Sequence, residues 1–156
     1  MKFRIISEIQ ELKIIQIDWC DLFISEGRSV FQSFEFNYYS WETELSKNKL
    51  NKLCVISLKT NERVFAILPL YIDSKKRLRF INDKHADFCD VLANEEFDFE
   101  NILSEIRNQF KFDSVHFINL TEDSFFYDLY KKKVWQYSLL KPFEKYSDLV
   151  ISSGSF

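Results

Sequence analysis

The sequence predicts an α+β fold, with a central, mixed and mostly antiparallel sheet flanked by helices, over one domain spanning residues 1–156. Three observations lead to the α+β class. Apolar residues at helical spacing give way near Leu53 to short apolar runs of strand character, and helical spacing returns between Glu95 and Phe110. Hydrophobic residues make up 46% of the chain and aromatics 17%, far from the polar composition of a disordered segment. At 156 residues the chain is the size of one ordinary domain, which buries on the order of 70% of its unfolded surface.

Each element follows in order. Phe3-Arg4-Ile5-Ile6 reads as a short strand. Leu12, Ile15, Trp19, Leu22 and Phe23 recur at three and four residues and make one helix, with Gly27 placed at its C-terminal cap. Val30-Phe31-Gln32-Ser33 leads into a second helix over about 34–45, capped by Ser33, with Glu35 and Glu42 among its polar positions. Two apolar runs, 53–58 and 64–71, are separated by Lys59-Thr60-Asn61-Glu62-Arg63, a polar connection that makes a hairpin. A third strand, 78–81, follows a turn at 73–76 and completes an antiparallel meander. Pro69 has no N–H to give a ladder, so it marks an edge, a bulge or a splay. After a polar loop at 82–90, residues 90–93 form a fourth strand. Glu95, Glu96, Asp98 and Glu100 open a helix that runs to about Phe110, since acids suit the positive end of a helix dipole. A strand at 114–120, a short helix at 124–132 and a strand at 134–140 close the order.

Composition removes several function classes. The 21 Lys and Arg against 24 Asp and Glu leave a net charge of −3 with mixed signs, which gives no basic field for nucleic acid. The clusters Lys75, Lys76, Arg77, Arg79 and Lys131 to Lys133 read as solvated turns or helix ends. Cys20, Cys54 and Cys89 are odd in number and lack CxxC spacing, as expected of buried thiols in a reducing cytoplasm. Charges at Lys2, Arg4, Glu8 and Glu11 break the N-terminus before a membrane span or signal peptide forms. The two histidines lie in separate elements, so no metal site is expected. Gly27 and Gly154 are the only glycines, so no Gly-rich phosphate loop exists and no cofactor is expected to bind this chain by itself.

The loop at 82–90 is the best place for chemistry. His85, Asp87 and Asp90 fall within six residues, next to Asp83 and Lys84. A histidine oriented by a carboxylate serves as a general base near neutral pH. The competing reading is a polar turn whose Asn and Asp side chains satisfy local backbone groups. Gln32 is a second contact candidate, and Arg79 points away from the face of Leu78 and Phe80, to solvent or into a groove. Tyr38, Tyr39 and Trp41 offer rings for a sugar, but large aromatics at helical spacing more often belong to a core, and His116 reads as structural.

The succession Phe31-Gln32-Ser33, Trp41, Ile67-Leu68-Pro69-Leu70-Tyr71, Arg77-Leu78-Arg79-Phe80 and His85-Ala86-Asp87, with Asp90 following, resembles the N-terminal half of FemAB-type and CelD-like acetyltransferases. These are built from two GNAT-like halves, and the resemblance covers roughly residues 15–151. Tyr146-Ser147-Asp148-Leu149 is similar to the segment by which such proteins pass into the second half. The resemblance implies that the second half holds acetyl-CoA or another acyl donor. The first half shapes a pocket for a small sugar or amino-acid acceptor, here with His85, Asp87, Asp90, Gln32 and Arg79 as contacts and the catalytic residues unassigned. The GNAT pyrophosphate loop, Arg/Gln-x-x-Gly-x-Gly/Ala, is missing. The expectation is therefore an acceptor-binding half that is inactive alone and works with a second GNAT-like half or a second copy of itself. The alternative is a non-catalytic binding or assembly module with the same fold.

Overall fold

The computed structural model describes residues 2–61 and 63–127, and residues 147–152 by their backbone. The chain runs β1 (Lys2–Ile6), α1 (Ile9–Ile14), α2 (Gln16–Glu26), α3 (Phe34–Thr43), β2 (Lys52–Leu53), β3 (Val55–Thr60), β4 (Arg63–Leu68), β5 (Leu70–Ile72), β6 (Arg77–Phe80), β7 (Leu92–Ala93), α4 (Phe99–Gln109), β8 (Ser114–Leu120) and β9 (Ser147–Ser152). Single 3₁₀ turns precede and follow α3 at Val30–Gln32 and Leu45–Lys47. The expected short helix beyond Tyr127, the strand at 134–140 and the basic run at 131–133 lie outside the described residues. Among the described residues no helix is long and apolar enough to cross a membrane.

The mixed α+β class holds, and its sheet is divided. One sheet has the order β1-β3-β4-β7 and the other β2-β5-β6-β8-β9; every pairing is antiparallel except β6 with β8. The two sheets share one hairpin. Leu53 faces Tyr71 and Ile56 faces Leu68, so one register runs through both. Pro69 is where the strand changes sheets. It has no N–H to donate to the ladder, while its carbonyl accepts the Ile81 N–H at 2.9 Å and Cys54 N–H donates to the neighbouring Leu70 carbonyl at 3.1 Å. Of the three outcomes the proline allowed, the splay is the one realised. The hairpin turn is tight, leaving only residues 61 and 62 between paired strands, with Asn61 in the left-handed region at φ 50°.

Helices cover both sides of these strands. Val55, Ile67, Tyr71 and Leu92 pack with Trp19, Phe34 and Trp41 of α2 and α3. Ile56, Leu58, Leu68, Phe80 and Phe117 pack instead with Ile102, Leu103 and Ile106 of α4. Burial on both faces explains why β3 and β4 read as continuous apolar runs rather than alternating ones.

Local departures have local causes. The first helix is two, broken at Ile15 (φ −93°, ψ 6°). Buried residues at 12, 15 and 19 continue across the break, so spacing alone does not reveal it. Gly27 caps α2 by donating its N–H to the Phe23 carbonyl at 2.7 Å. It does so in extended conformation (φ −65°), and glycine is needed there because a Cβ would overlap the Phe23 ring. Helix α4 begins at Phe99 rather than near Glu95, because Asp98 caps it by accepting the Glu100 and Asn101 N–H groups at 3.1 and 3.3 Å. Ser33 caps α3 as expected, accepting the Phe36 N–H at 3.3 Å.

Candidate functional site

The loop after β6 is a packed structure with a few outward side chains. Asn82, Asp83, Ala86, Cys89 and Asp90 are buried, and Lys84, His85 and Asp87 are exposed. The loop turns tightly, with the Asn82 carbonyl accepting the N–H of both His85 and Ala86 at 2.9 Å. The Asn82 amide donates to Asn37 Oδ1 at 2.8 Å and to the Phe31 carbonyl at 3.1 Å, and the Asn37 amide in turn holds the Phe31 and Ser33 carbonyls at 3.0 and 2.8 Å. Both asparagines are buried. This amide pair fixes the loop against α3, each bond contributing on the order of 1 kcal/mol.

That docking brings His85 to Glu44, the residue that ends α3. His85 Nε2 lies 2.6 Å from Glu44 Oε2, and Lys84 Nζ lies 3.4 Å from Oε1. The hydrogen bond from His85 holds the Glu44 carboxyl below the ordinary glutamate range. An ionised carboxylate only accepts, so the shared proton sits on Nε2 of His85. Glu44 and His85 line a surface groove of about 430 Å³ with Val30, Phe36, Tyr39 and Ser40. Tyr39 is 57% exposed there, while Tyr38 and Trp41 belong to the core. The sequence places Asp83, Asp87 and Asp90 near His85, and the carboxylate that meets the ring is none of them. Glu44, 41 residues away, carries no local signal of that role. Asp87 is exposed, and among the described residues its side chain makes no hydrogen bond.

The other residues named from sequence are not gathered in this groove. Asp90 turns inward. Its carboxylate accepts the Val91 and Phe126 N–H groups on Oδ1 at 2.8 and 3.0 Å, and the Phe125 N–H on Oδ2 at 2.8 Å. Burial outweighs those bonds and pushes its pKa up to about 6. Gln32 is 3% exposed and bridges the Arg28 N–H and the Val91 carbonyl at 2.9 and 3.0 Å. The Arg79 side chain is largely buried. Its guanidinium contacts Asp83 Oδ2 at 2.5 Å and Asp73 Oδ2 at 3.5 Å, and Asp73 also takes Arg77 at 2.6 Å. The Asp83 side chain is fully buried, and that burial raises its pKa despite the arginine beside it. His116 is half-buried on β8; burial first, then the charges of Arg77 and Arg79, lower its pKa. Of the basic cluster expected to be solvated, only Lys75 and Lys76 are exposed.

The acyl donor implied by the resemblance needs free N–H groups at a helix start. Among the described helices, α1 and α2 start without a side-chain cap, whereas α3 and α4 are capped. Ser33 and Asp98 already occupy the first N–H groups of α3 and α4, Asp98 and Glu100 place negative charge at the latter, and Gly27 lies at a C-terminus. No protein-family model matches the chain, and no curated protein matches it. Among solved structures, mutant forms of the spermidine/spermine N-acetyltransferase SpeG from Vibrio cholerae match with 10% identity over 98% of this chain and 94% of that one, at a TM-score of 0.44. At that score neither the fold nor the chemistry of that enzyme transfers to this chain.

Proposed function

We propose that this chain is the acceptor-binding half of a two-half GNAT-type acyltransferase, and that the groove beside His85 takes a small sugar or amino-acid acceptor. The ordered motifs supply the family. The observation that carries the site is the pair His85–Glu44, in contact at 2.6 Å at the rim of a groove that also exposes Tyr39. In this reading Glu44 orients the ring, His85 accepts a proton from the acceptor's hydroxyl or ammonium through Nδ1, and Tyr39 offers a face to a sugar ring. The acyl donor is held by a second half or a partner chain. The free thiols Cys20, Cys54 and Cys89 suit a reducing, cytoplasmic setting.

A thermal-shift panel of amino sugars, neutral sugars and amino acids tests the reading. A ligand that binds only the folded chain at a hundred times its Kd stabilises it by about 2.7 kcal/mol, a readily measured rise in Tm. The rise should vanish in His85→Ala and shrink in Glu44→Gln. Acetyl-CoA titrated into the chain alone should give no binding heat. A panel with no hit, or a hit indifferent to His85→Ala, sinks the proposed site. A hit that no supplied acyl donor or partner chain ever acylates would favour the binding-module alternative, which the shortage of glycine also favours.

A further inference from the structure

We propose that Asn119 is a positioning residue for His85, and that the irregularity in β8 serves to place it. This deepens the reading given above and rests on His85 being the working group of the groove. The β8–β9 ladder shifts register between Phe117 and Leu120. Within that interval Asn119 adopts φ 59°, a left-handed conformation that asparagine enters more readily than other non-glycine residues. The interrupted ladder lets Asn119 serve the neighbouring loop. Its Nδ2 donates to the Asp83 carbonyl at 3.0 Å and to the Ala86 carbonyl at 3.3 Å, and its own carbonyl accepts the Cys89 N–H at 2.8 Å. These three attachment points bracket His85. On the other side the Asn82–Asn37 amide pair docks the same loop on α3, whose end carries Glu44. The separation of His85 from Glu44 is thus set by two clamps on opposite sides, and Asn119 is the one that local sequence around His85 does not reveal. A bulge of this kind re-aims a side chain at the expense of pairing, and here the re-aimed side chain holds the loop.

The test uses the full chain and no ligand, so its outcome is independent of whether any panel compound binds. Asn119→Gly keeps the left-handed backbone and removes both amide bonds; Asn119→Asp tolerates the same backbone and cannot donate. The readout is the titration of the Glu44 carboxyl followed by ¹³C NMR, with His85→Ala defining the full effect of losing the contact. We expect each Asn119 variant to move the Glu44 midpoint upward by at least half the His85→Ala shift. Ile67→Val, a core change that lowers Tm without touching the loop, should leave the midpoint in place. The inference is overturned if the Asn119 variants titrate like wild type, or if Ile67→Val moves Glu44 as far as they do.

Discussion

Two carboxylate–base contacts sit two residues apart on one loop and have opposite fates. Asp83 meets Arg79 at 2.5 Å with its side chain fully buried, whereas His85 meets Glu44 at 2.6 Å with both side chains about half exposed. The distances are alike, so distance does not distinguish a structural contact from an available one. Burial does. In the first pair a charge is removed from water, and every change to it is felt by the fold. In the second, solvent screens the pair, and the ring is free to meet a ligand.

The largest expected effect comes from breaking the buried pair. Arg79→Ala strands Asp83 and should cost about 3–5 kcal/mol in urea unfolding followed by tryptophan fluorescence. The double variant Arg79→Leu with Asp83→Leu should be less destabilised than Arg79→Ala, because no buried charge is left uncompensated. If Arg79→Ala unfolds like wild type, burial does not set the two contacts apart.

Asp90 extends the contrast to pH. Its pKa of about 6 lies above the ordinary 3.8, so the folded chain holds that proton more tightly than the unfolded one. Its stabilising contribution is therefore full below about pH 4 and is lost as pH rises through 6, by up to about 3 kcal/mol. Glu44 acts with the opposite sign. Its lowered pKa gives a stabilisation present above the ordinary glutamate pKa and lost on acidification, small because the pair is exposed. Asp90→Asn should flatten the decline in stability between pH 4 and pH 7, and an unchanged slope would assign that decline elsewhere. At the small end, His85→Ala should change stability by less than about 1 kcal/mol. A larger loss would place the His85–Glu44 contact with the buried pair rather than opposite it.

What could be read from sequence follows the range over which each feature is encoded. Ser33 as a cap, the hairpin connection near Asn61 and the interruption at Pro69 depend on residues within a few positions and were legible, though the connection reads as five residues and the ladder extends to Thr60 and Arg63. The outward position of His85 was also legible, as a polar residue in a polar loop. The fate of Asp90 was not, since Asp87 and Asp90 look alike in sequence. What separates them is a set of backbone N–H groups at Phe125 and Phe126, some 35 residues on. Glu44 escaped for the same reason, because the partner that gives it meaning lies beyond any local pattern. The division of the sheet was half legible. Pro69 announced a disturbance, but which neighbours each half would take depended on β1, β6 and β7.

The hairpin that Pro69 divides has a further consequence for how errors in folding are rejected. A one-residue slip of the second arm against the first would turn Leu68 toward α2 and α3, and would turn Tyr71 toward α4. Because the same two arms supply strands to both sheets, a slip cannot be confined to one of them. A mispaired chain would have two cores wrong at once, so the shared hairpin acts as a proofreading step, coupling the correctness of one sheet to that of the other.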